Sequence, residues 1–298
     1  MDLIAVAAGD SERPLEEEVG ARVLERHERL FILNGREIPV WAQNVWLEPE
    51  RFEFKSISEA AKKLRSIQRN WWPHSVTAHR RAGLIQEGLP PLKPKPLVFG
   101  GPVPSSPMGA FALLDENTMV FSPRCTSVFP DGIVEFVENK TEPPSRAYLK
   151  LWEFFTVSGR RPAAGETVLD LGSSPGGWTW VLDQMDCRVI SVDKAPLAEK
   201  LPVSDRVRFV NESAFALDPK AVGAVDWLFS DIICYPERLL ELVHKWMKAG
   251  VVKNFVCTLK FQGPTNFTVI REFQKIAGSE LRHLHCNKHE LTWSYCRD

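Results

Sequence analysis

Long apolar runs are missing from this sequence. Apolar stretches such as Val225–Ser230 and Phe255–Leu259 are strand-sized and fall far short of the ~20 residues a bilayer-spanning helix needs, so no transmembrane helix is expected. Cysteine is scarce and unpatterned. Cys125, Cys187, Cys234, Cys257, Cys286 and Cys296 form no C-x-x-C pair and show no regular spacing, which argues against a disulfide framework and a zinc site and predicts reduced, mostly buried thiols. No metal-ligand spacing is visible. Excess charge of one sign is also absent: 37 Lys and Arg stand against 38 Asp and Glu, for a net charge of -1. That excludes a generally polycationic protein and leaves open only local basic patches. The opening Met-Asp-Leu-Ile-Ala-Val has no basic region ahead of an apolar one, so no secretory signal is expected and the cytoplasm is the default location. There is no internal repeat or low-complexity tract.

What remains is ordinary globular composition. With 44% hydrophobic and 25% charged residues over 298 positions, the chain can build one large domain or two of typical size, and its pattern favours two. The first part opens with an apolar strand candidate, Leu3–Ala8, then an acidic helix candidate over Pro14–Arg26 and a second short apolar run, Arg29–Leu33. Ser58–Asn70 has apolar residues at Ala60, Ala61, Leu64 and Ile67, which predicts a helix with Ser58 as its N-cap and a basic outer face. Seven prolines between Pro90 and Pro107 predict an extended connector. Ala110–Leu114 and Thr118–Phe121 read as a hairpin.

At Pro143-Pro144 the pattern changes, which predicts an N-terminal α/β domain over 1–140 and a second domain over 141–298. Ser145–Thr156 reads as a capped amphipathic helix. Beyond it, strand candidates at Thr167–Leu171, Arg188–Asp193, Val207–Val210, Trp227–Asp231, Phe255–Phe261, Leu281–Leu284 and Leu291–Tyr295 alternate with helical segments at Trp178–Met185, Pro236–Lys248 and Asn266–Ala277. Such alternation predicts a Rossmann-like α/β fold with a mostly parallel, doubly wound sheet.

The segment TVLDLGSSPGGWTWVL, Thr167–Leu182, is a strand, a glycine-rich turn and a helix, so backbone N–H groups at a helix N-terminus face a ligand. Its glycines, Gly172, Gly176 and Gly177, match neither the dinucleotide pattern G-x-G-x-x-G nor the phosphate-cradling G-x-x-x-x-G-K-[ST]. Asp193 ends the next strand, where these sheets hydrogen-bond a ribose diol. The glycines alone would suit any tight strand-to-helix turn; with Asp193 in register they point to an adenosine-containing ligand.

Ligands of open parallel sheets sit at the carboxyl ends of the strands, and two ionisable residues lie there: Asp231 and Lys260. A lysine in an apolar strand is costly as a cation unless it is paired or deprotonated, so the two form either a structural ion pair or a reactive one. The residues around them resemble the FtsJ-like family of RNA ribose 2′-O-methyltransferases. SRAYLKL carries Lys150, SDII carries Asp231, TLKFQG carries Lys260 and KHELTWSY carries Glu290, in the order of that family's Lys-Asp-Lys-Glu tetrad. PPSRAYLKLWE, DLGSSPGGWTW and SVDKAP look most like the branch that methylates a cytidine of bacterial large-subunit rRNA. The resemblance covers 143–298. It implies S-adenosylmethionine as cofactor, catalysis by Lys150, Asp231, Lys260 and Glu290, and cofactor contacts from Ser145, Gly172, Ser174, Pro175, Gly176, Gly177, Trp178, Asp193, Ser213 and Asp231. A ribose hydroxyl is too weak an acid to ionise at neutral pH, so a base must take its proton as the oxygen attacks the methyl group in line; Lys260 is the candidate. Two features depart from the family. NESAF has Ser213 where an acidic residue often meets the adenine, with Glu212 beside it, and Ile232-Ile233-Cys234 replaces a proline-containing turn.

Between Lys55 and Lys95 nine basic residues (Lys55, Lys62, Lys63, Arg65, Arg69, Arg80, Arg81, Lys93 and Lys95) stand against Glu59 and Glu87, with Trp71, Trp72 and His74 among them. Basic and aromatic residues so mixed suit phosphate contact and base stacking, although a solvated helix face with core tryptophans has the same pattern. The related rRNA enzymes carry an N-terminal THUMP-like RNA-binding module, which the resemblance extends weakly to residues 1–140. The expected partner is RNA, large-subunit rRNA or its precursor. Methylation of a protein or small molecule, and RNA binding by a vestigial fold without catalysis, are the competing expectations.

Overall fold

The computed structural model describes residues 1–297. The chain divides into two compact units, Met1–Val137 and Glu138–Asp298.

The N-terminal unit is α/β and holds two four-stranded sheets. The first is built from β1 (Leu3–Ala7), β2 (Val23–His27), β3 (Leu30–Leu33) and β4 (Ala42–Trp46), in the order β2-β3-β1-β4, with α1 (Glu12–Val19) after β1. The second contains β5 (Glu50–Glu53), β6 (Trp71–Pro73), β7 (Gly109–Leu113) and β8 (Thr118–Ser122), in the order β5-β8-β7-β6; α2 (Ile57–Ile67) and α3 (His79–Glu87) flank β6 in sequence. Strand periodicity explains the layering, because successive side chains leave a strand on opposite faces. Phe111, Leu113, Met119 and Phe121 pack against Ala60, Ala61 and Leu64 of α2. The alternate residues Ala110, Ala112 and Val120 pack against Ile4, Val6 and Ile32 of the first sheet.

Three sequence expectations are corrected here. The helix expected over Pro14–Arg26 stops at Val19, because Gly20 takes φ 46° and Val23–His27 pairs as a strand with β3. The cap of α2 is Ser56, whose side chain accepts from the Glu59 amide, rather than Ser58. Trp71 is 1% exposed, donating its Nε1–H to the Leu64 carbonyl, and His74 is 2% exposed against Asp131. Neither is available to stack on a base. The cations divide similarly: Lys63 lies over the Phe52 and Phe121 rings and Arg81 over Phe54, whereas Lys62, Arg65, Arg69 and Arg80 are exposed.

The C-terminal unit runs α4 (Tyr148–Ser158), β9 (Thr167–Leu171), α5 (Gly177–Gln184), β10 (Arg188–Asp193), β11 (Val207–Asn211), α6 (Pro219–Val222), β12 (Val225–Ser230), α7 (Pro236–Ala249), β13 (Val252–Lys260), α8 (Phe267–Gln274), β14 (Ser279–Arg282) and β15 (Glu290–Tyr295). One seven-stranded sheet has the order β11-β10-β9-β12-β13-β15-β14. Its first five strands are parallel, and β15 runs antiparallel to both β13 and β14. This is the Rossmann-like α/β sheet the alternation predicts. Parallel strands covered on both faces read as near-continuous apolar runs, as Val168, Leu169 and Leu171 and then Trp227, Leu228 and Phe229 do. In α7 the buried residues Leu239, Leu242, Val243 and Trp246 recur at helical spacing, so one stripe faces the sheet. α4 has no side-chain cap and begins at Tyr148; Ser145, expected to start it, has another place.

Candidate active site

The strand order reverses at β9, between β10 on one side and β12 on the other, and a crevice opens beyond such a point in doubly wound sheets. Here it is a cavity of about 530 Å³, within the range of small-molecule sites. Its floor is the turn after β9. Gly172 holds φ 77°, and a Cβ there would stand 2.2 Å from the Ile232 side chain. A Cβ on Gly177 would come within 2.5 Å of Ser145 Oγ. Both glycines therefore allow close approaches that any side chain would block. Gly172, Ser174, Pro175, Gly177, Trp178, Asp193, Ser213, Ser145 and Asp231 line the cavity, whereas Gly176 lies against Leu197, Leu201 and Pro144 instead.

Several of these groups are already engaged. Asp193 accepts from the Ser174 amide at 3.0 Å and from the Ala195 amide at 2.9 Å, tying the glycine turn to the end of β10. Ser174 Oγ donates to the Pro196 carbonyl, and Trp178 Nε1–H to the Ala147 carbonyl. Others are buried without any partner among the described residues: Ser145 Oγ, Ser173 Oγ and Asp170 Oδ1, all from residues of the cavity wall. Orphaned buried polar atoms around an empty volume are the mark of a ligand site rather than a packed core. Burial pushes the Asp170 carboxyl up to about 7, although Thr179 Oγ1 donates to its Oδ2 at 2.6 Å.

Beside Ile232, where Asp231 and Lys260 form part of the cavity wall, four charged side chains converge. β13 and β15 pair Lys260 with Glu290 across the ladder, so their side chains share a face. Asp231 follows β12, the parallel neighbour of β13, and α4 brings Lys150. Lys150 Nζ stands 2.6 Å from Glu290 Oε1 and 3.2 Å from Asp231 Oδ1; Lys260 Nζ stands 3.0 Å from that same Asp231 oxygen and donates to the Asp231 backbone carbonyl at 2.5 Å. Two cations and two anions thus offset much of the desolvation that each would suffer alone. Burial draws the Lys150 ammonium's pKa down, but Asp231 and Glu290 together outweigh it, and the net displacement is upward. Lys150 is therefore held as a cation. Asp231 and Lys260 line the cavity, while Lys150 and Glu290 are outside its wall.

Two features of the wall were not anticipated in the sequence. Asp170 stands inside an apolar strand of TVLDLG, where a buried carboxylate is itself a signal. Arg238 lays its guanidinium 3.8 Å over the Phe215 ring, and both residues line the cavity beside Glu212 and Ser213; no spacing in the sequence connects them.

Residues 143–286 match the family described as FtsJ-like methyltransferase. That match spans most of the C-terminal unit. The chain is 26% identical over 285 residues to the ribosomal RNA large subunit methyltransferase M of Thauera aminoaromatica, covering 87% of this chain and 77% of that one. Proteins of the same name from Cellvibrio japonicus and Alkalilimnicola ehrlichii are 38% identical over 141 residues and 42% over 113. Those matches cover 45% and 36% of this chain but only 39% and 31% of the relatives' own length. The cofactor of such a methyltransferase is S-adenosylmethionine, and the site fits it: a cradle that a Cβ would fill, a cavity of suitable size, and buried polar atoms awaiting partners. Among the described residues no cluster suited to a metal ion is found, and no helix is long and apolar enough to cross a membrane.

Proposed function

We propose that this FtsJ-like methyltransferase acts in the cytoplasm on RNA, transferring a methyl group to a ribose 2′-hydroxyl of large-subunit rRNA or its precursor. The observation that carries the reading is the Lys150–Asp231–Lys260–Glu290 cluster at the end of the cofactor cavity, with Lys260 and Asp231 on its wall. Bound S-adenosylmethionine supplies an electrophilic methyl group on a sulfonium. Ser145, Ser173 and Asp170 offer partnerless polar atoms to it; in this reading Asp193 accepts from the ribose diol, and Glu212, Ser213 and Phe215 of the same cavity wall face the adenine.

The protein's contribution to the reaction is to take a proton. Lys260 Nζ reaches two acceptors on Asp231, the backbone oxygen and Oδ1. In the role of base the amine would give its two hydrogens to those acceptors and its lone pair to the hydroxyl proton. The hydroxyl proton passes to that lone pair as the oxygen attacks in line. The resulting ammonium is then stabilised by Asp231, whose carboxylate it already touches. Lys150, held as a cation, stands 3.2 Å from the same carboxylate. Glu290 fixes Lys150 in turn. Exposed cations of α2 and α3, Lys62, Arg65 and Arg80, with Arg69 just beyond α2, supply phosphate contacts in the N-terminal unit.

The test is transfer of labelled methyl from S-adenosylmethionine to deproteinised rRNA, and to precursor particles, from a strain lacking the gene. Wild type and Lys260→Ala are compared, and the product is mapped by nuclease digestion and mass spectrometry. A 2′-O-methylated nucleotide made by wild type alone supports the reading. Cofactor binding by wild type without transfer to either RNA substrate overturns it in favour of a protein or small-molecule acceptor.

A further inference from the structure

Between the end of β12 and the start of α7 the chain runs through Asp231-Ile232-Ile233-Cys234-Tyr235-Pro236. Burial alternates along this segment: Ile232, Cys234 and Pro236 are buried, whereas Ile233 is 80% exposed and Tyr235 65%. The inward set is fixed by packing, since Ile232 fills the space that the missing Gly172 side chain leaves. The outward set follows, Ile233 and Tyr235 standing exposed on either side of a bend at Cys234. Tyr235 is no loose loop residue. Its carbonyl accepts from the Arg238 and Leu239 amides at 3.0 and 3.2 Å, and Pro236 occupies the first position of α7.

Exposed apolar side chains are unremarkable one at a time, but their placement here is not scattered. Among the described residues of the C-terminal unit, the large apolar side chains that stand exposed are Val203, Ile233 and Tyr235. Two of these lie within four residues of Asp231. Ile233 also lines the cavity together with Asp231 and Lys260. Ile233 on the cavity wall beside the charged cluster, with Tyr235 exposed two residues on, suits an acceptor that is polar at the reacting atom and flat and apolar next to it. A nucleoside has that form.

The geometry points to Ile233 and Tyr235 as the platform on which the base of the target nucleotide stacks while its ribose hydroxyl meets Lys260. This rests on the RNA-ribose reading above and adds to it the residues that seat the acceptor. Stacking on an aromatic side chain tolerates any base because every base has a π-face, so this platform grips the nucleotide, and hydrogen bonds made elsewhere would choose it.

The experiment uses full-length protein and an rRNA fragment containing the methylated position, prepared once with its natural base and once with an abasic ribose that keeps the 2′-hydroxyl. On the natural fragment Tyr235→Ala and Ile233→Ser each raise the RNA KM by about 10- to 100-fold, while Tyr235→Phe stays within about twofold of wild type. S-adenosylmethionine Kd, measured by calorimetry, is unchanged in the two Tyr235 variants, whose residue lies outside the cavity wall, and this also reports an intact fold. On the abasic fragment wild type is already impaired, and Tyr235→Ala impairs it no further. Equal losses by Tyr235→Ala on both fragments, or no loss on the natural one, overturn the platform while leaving ribose methylation standing. Failure of wild type to methylate any RNA removes the functional reading first, and the platform with it.

Discussion

Lys150 and Lys260 approach the same Asp231 oxygen at 3.2 and 3.0 Å, so their nitrogens lie no more than about 6 Å apart. If Lys260 must shed a proton to act, the fixed charge on Lys150 helps it do so. At an effective dielectric of about 20, two unit charges roughly 6 Å apart repel by about 3 kcal/mol, which corresponds to about two pH units. Lys150→Met keeps the length of the side chain and removes the charge, leaving two carboxylates around one amine. The acid limb of the kcat/KM profile then moves upward by one to two pH units, and the activity lost at neutral pH returns in alkaline buffer. Glu290→Gln acts with the opposite sign: the cluster is left with an excess positive charge, and the acid limb moves downward. The assay is labelled-methyl transfer to rRNA between pH 6 and 10, with saturating cofactor checked at each pH. If both variants lose activity by the same factor at every pH, with neither limb displaced, Lys150 does not tune a base and the proton-transfer reasoning is wrong.

Gly172→Ala should lower stability by about 2–4 kcal/mol in urea titration and abolish measurable cofactor binding, because φ 77° and the Ile232 side chain both oppose a Cβ; Gly250→Ala, at φ 69° with open space around it, should cost only about 1 kcal/mol. Burial holds the Asp170 carboxyl at about 7, and a cationic ligand favours the carboxylate, so S-adenosylmethionine affinity measured by calorimetry should rise from pH 6 to pH 8; Asp170→Asn should flatten that rise. Lys62→Glu together with Arg65→Glu should leave the melting temperature within about 2 °C and weaken RNA binding, with a shallower dependence on salt in a filter-binding series. Glu153 is buried, with its carboxyl pushed up to about 7, and it accepts from the His285 and Cys286 amides at 2.6 and 2.7 Å. Since its folded value lies above the unfolded one, its contribution to stability is complete below about pH 4.5 and is lost as the pH rises to about 7; Glu153→Gln should flatten that decline in melting curves taken at stepped pH.

The sheet was legible because its information is local. Val168–Leu171 and Trp227–Ser230 are short apolar runs ended by polar residues, and each became a central parallel strand. The helix ends were harder to place, because they depend on single residues whose conformation the pattern does not reveal. Gly20 at φ 46° ended α1 early and freed Val23–His27 to pair with β3. Ser56 outcompeted Ser58 as a cap because its position lets the side chain reach the Glu59 amide. In the basic segment the sequence offered two fates for Trp71, and the core took it: a strand next to β7 points every second side chain inward, and this one also met a carbonyl for its indole N–H.

The charged cluster was legible for a different reason. Lysine and aspartate at the carboxyl ends of apolar strands are conspicuous anywhere, and the family likeness supplied the partners that chain order separates. What neither source could supply was depth. Asp231 and Lys260 stand at the cavity wall and Lys150 and Glu290 outside it, a division that follows from which element carries each residue. The helix residue Lys150 reaches the cluster from α4, whereas Lys260 stands on the sheet beside the cofactor crevice. Glu153 lies one turn along α4 from Lys150 and grips the backbone of His285 and Cys286, just ahead of the strand that carries Glu290. A single helix therefore sets both ends of the Lys150–Glu290 pair. The pair's 2.6 Å separation is thus a property of how α4 docks, which is why a buried glutamate with no place in the reaction belongs to the explanation of its geometry.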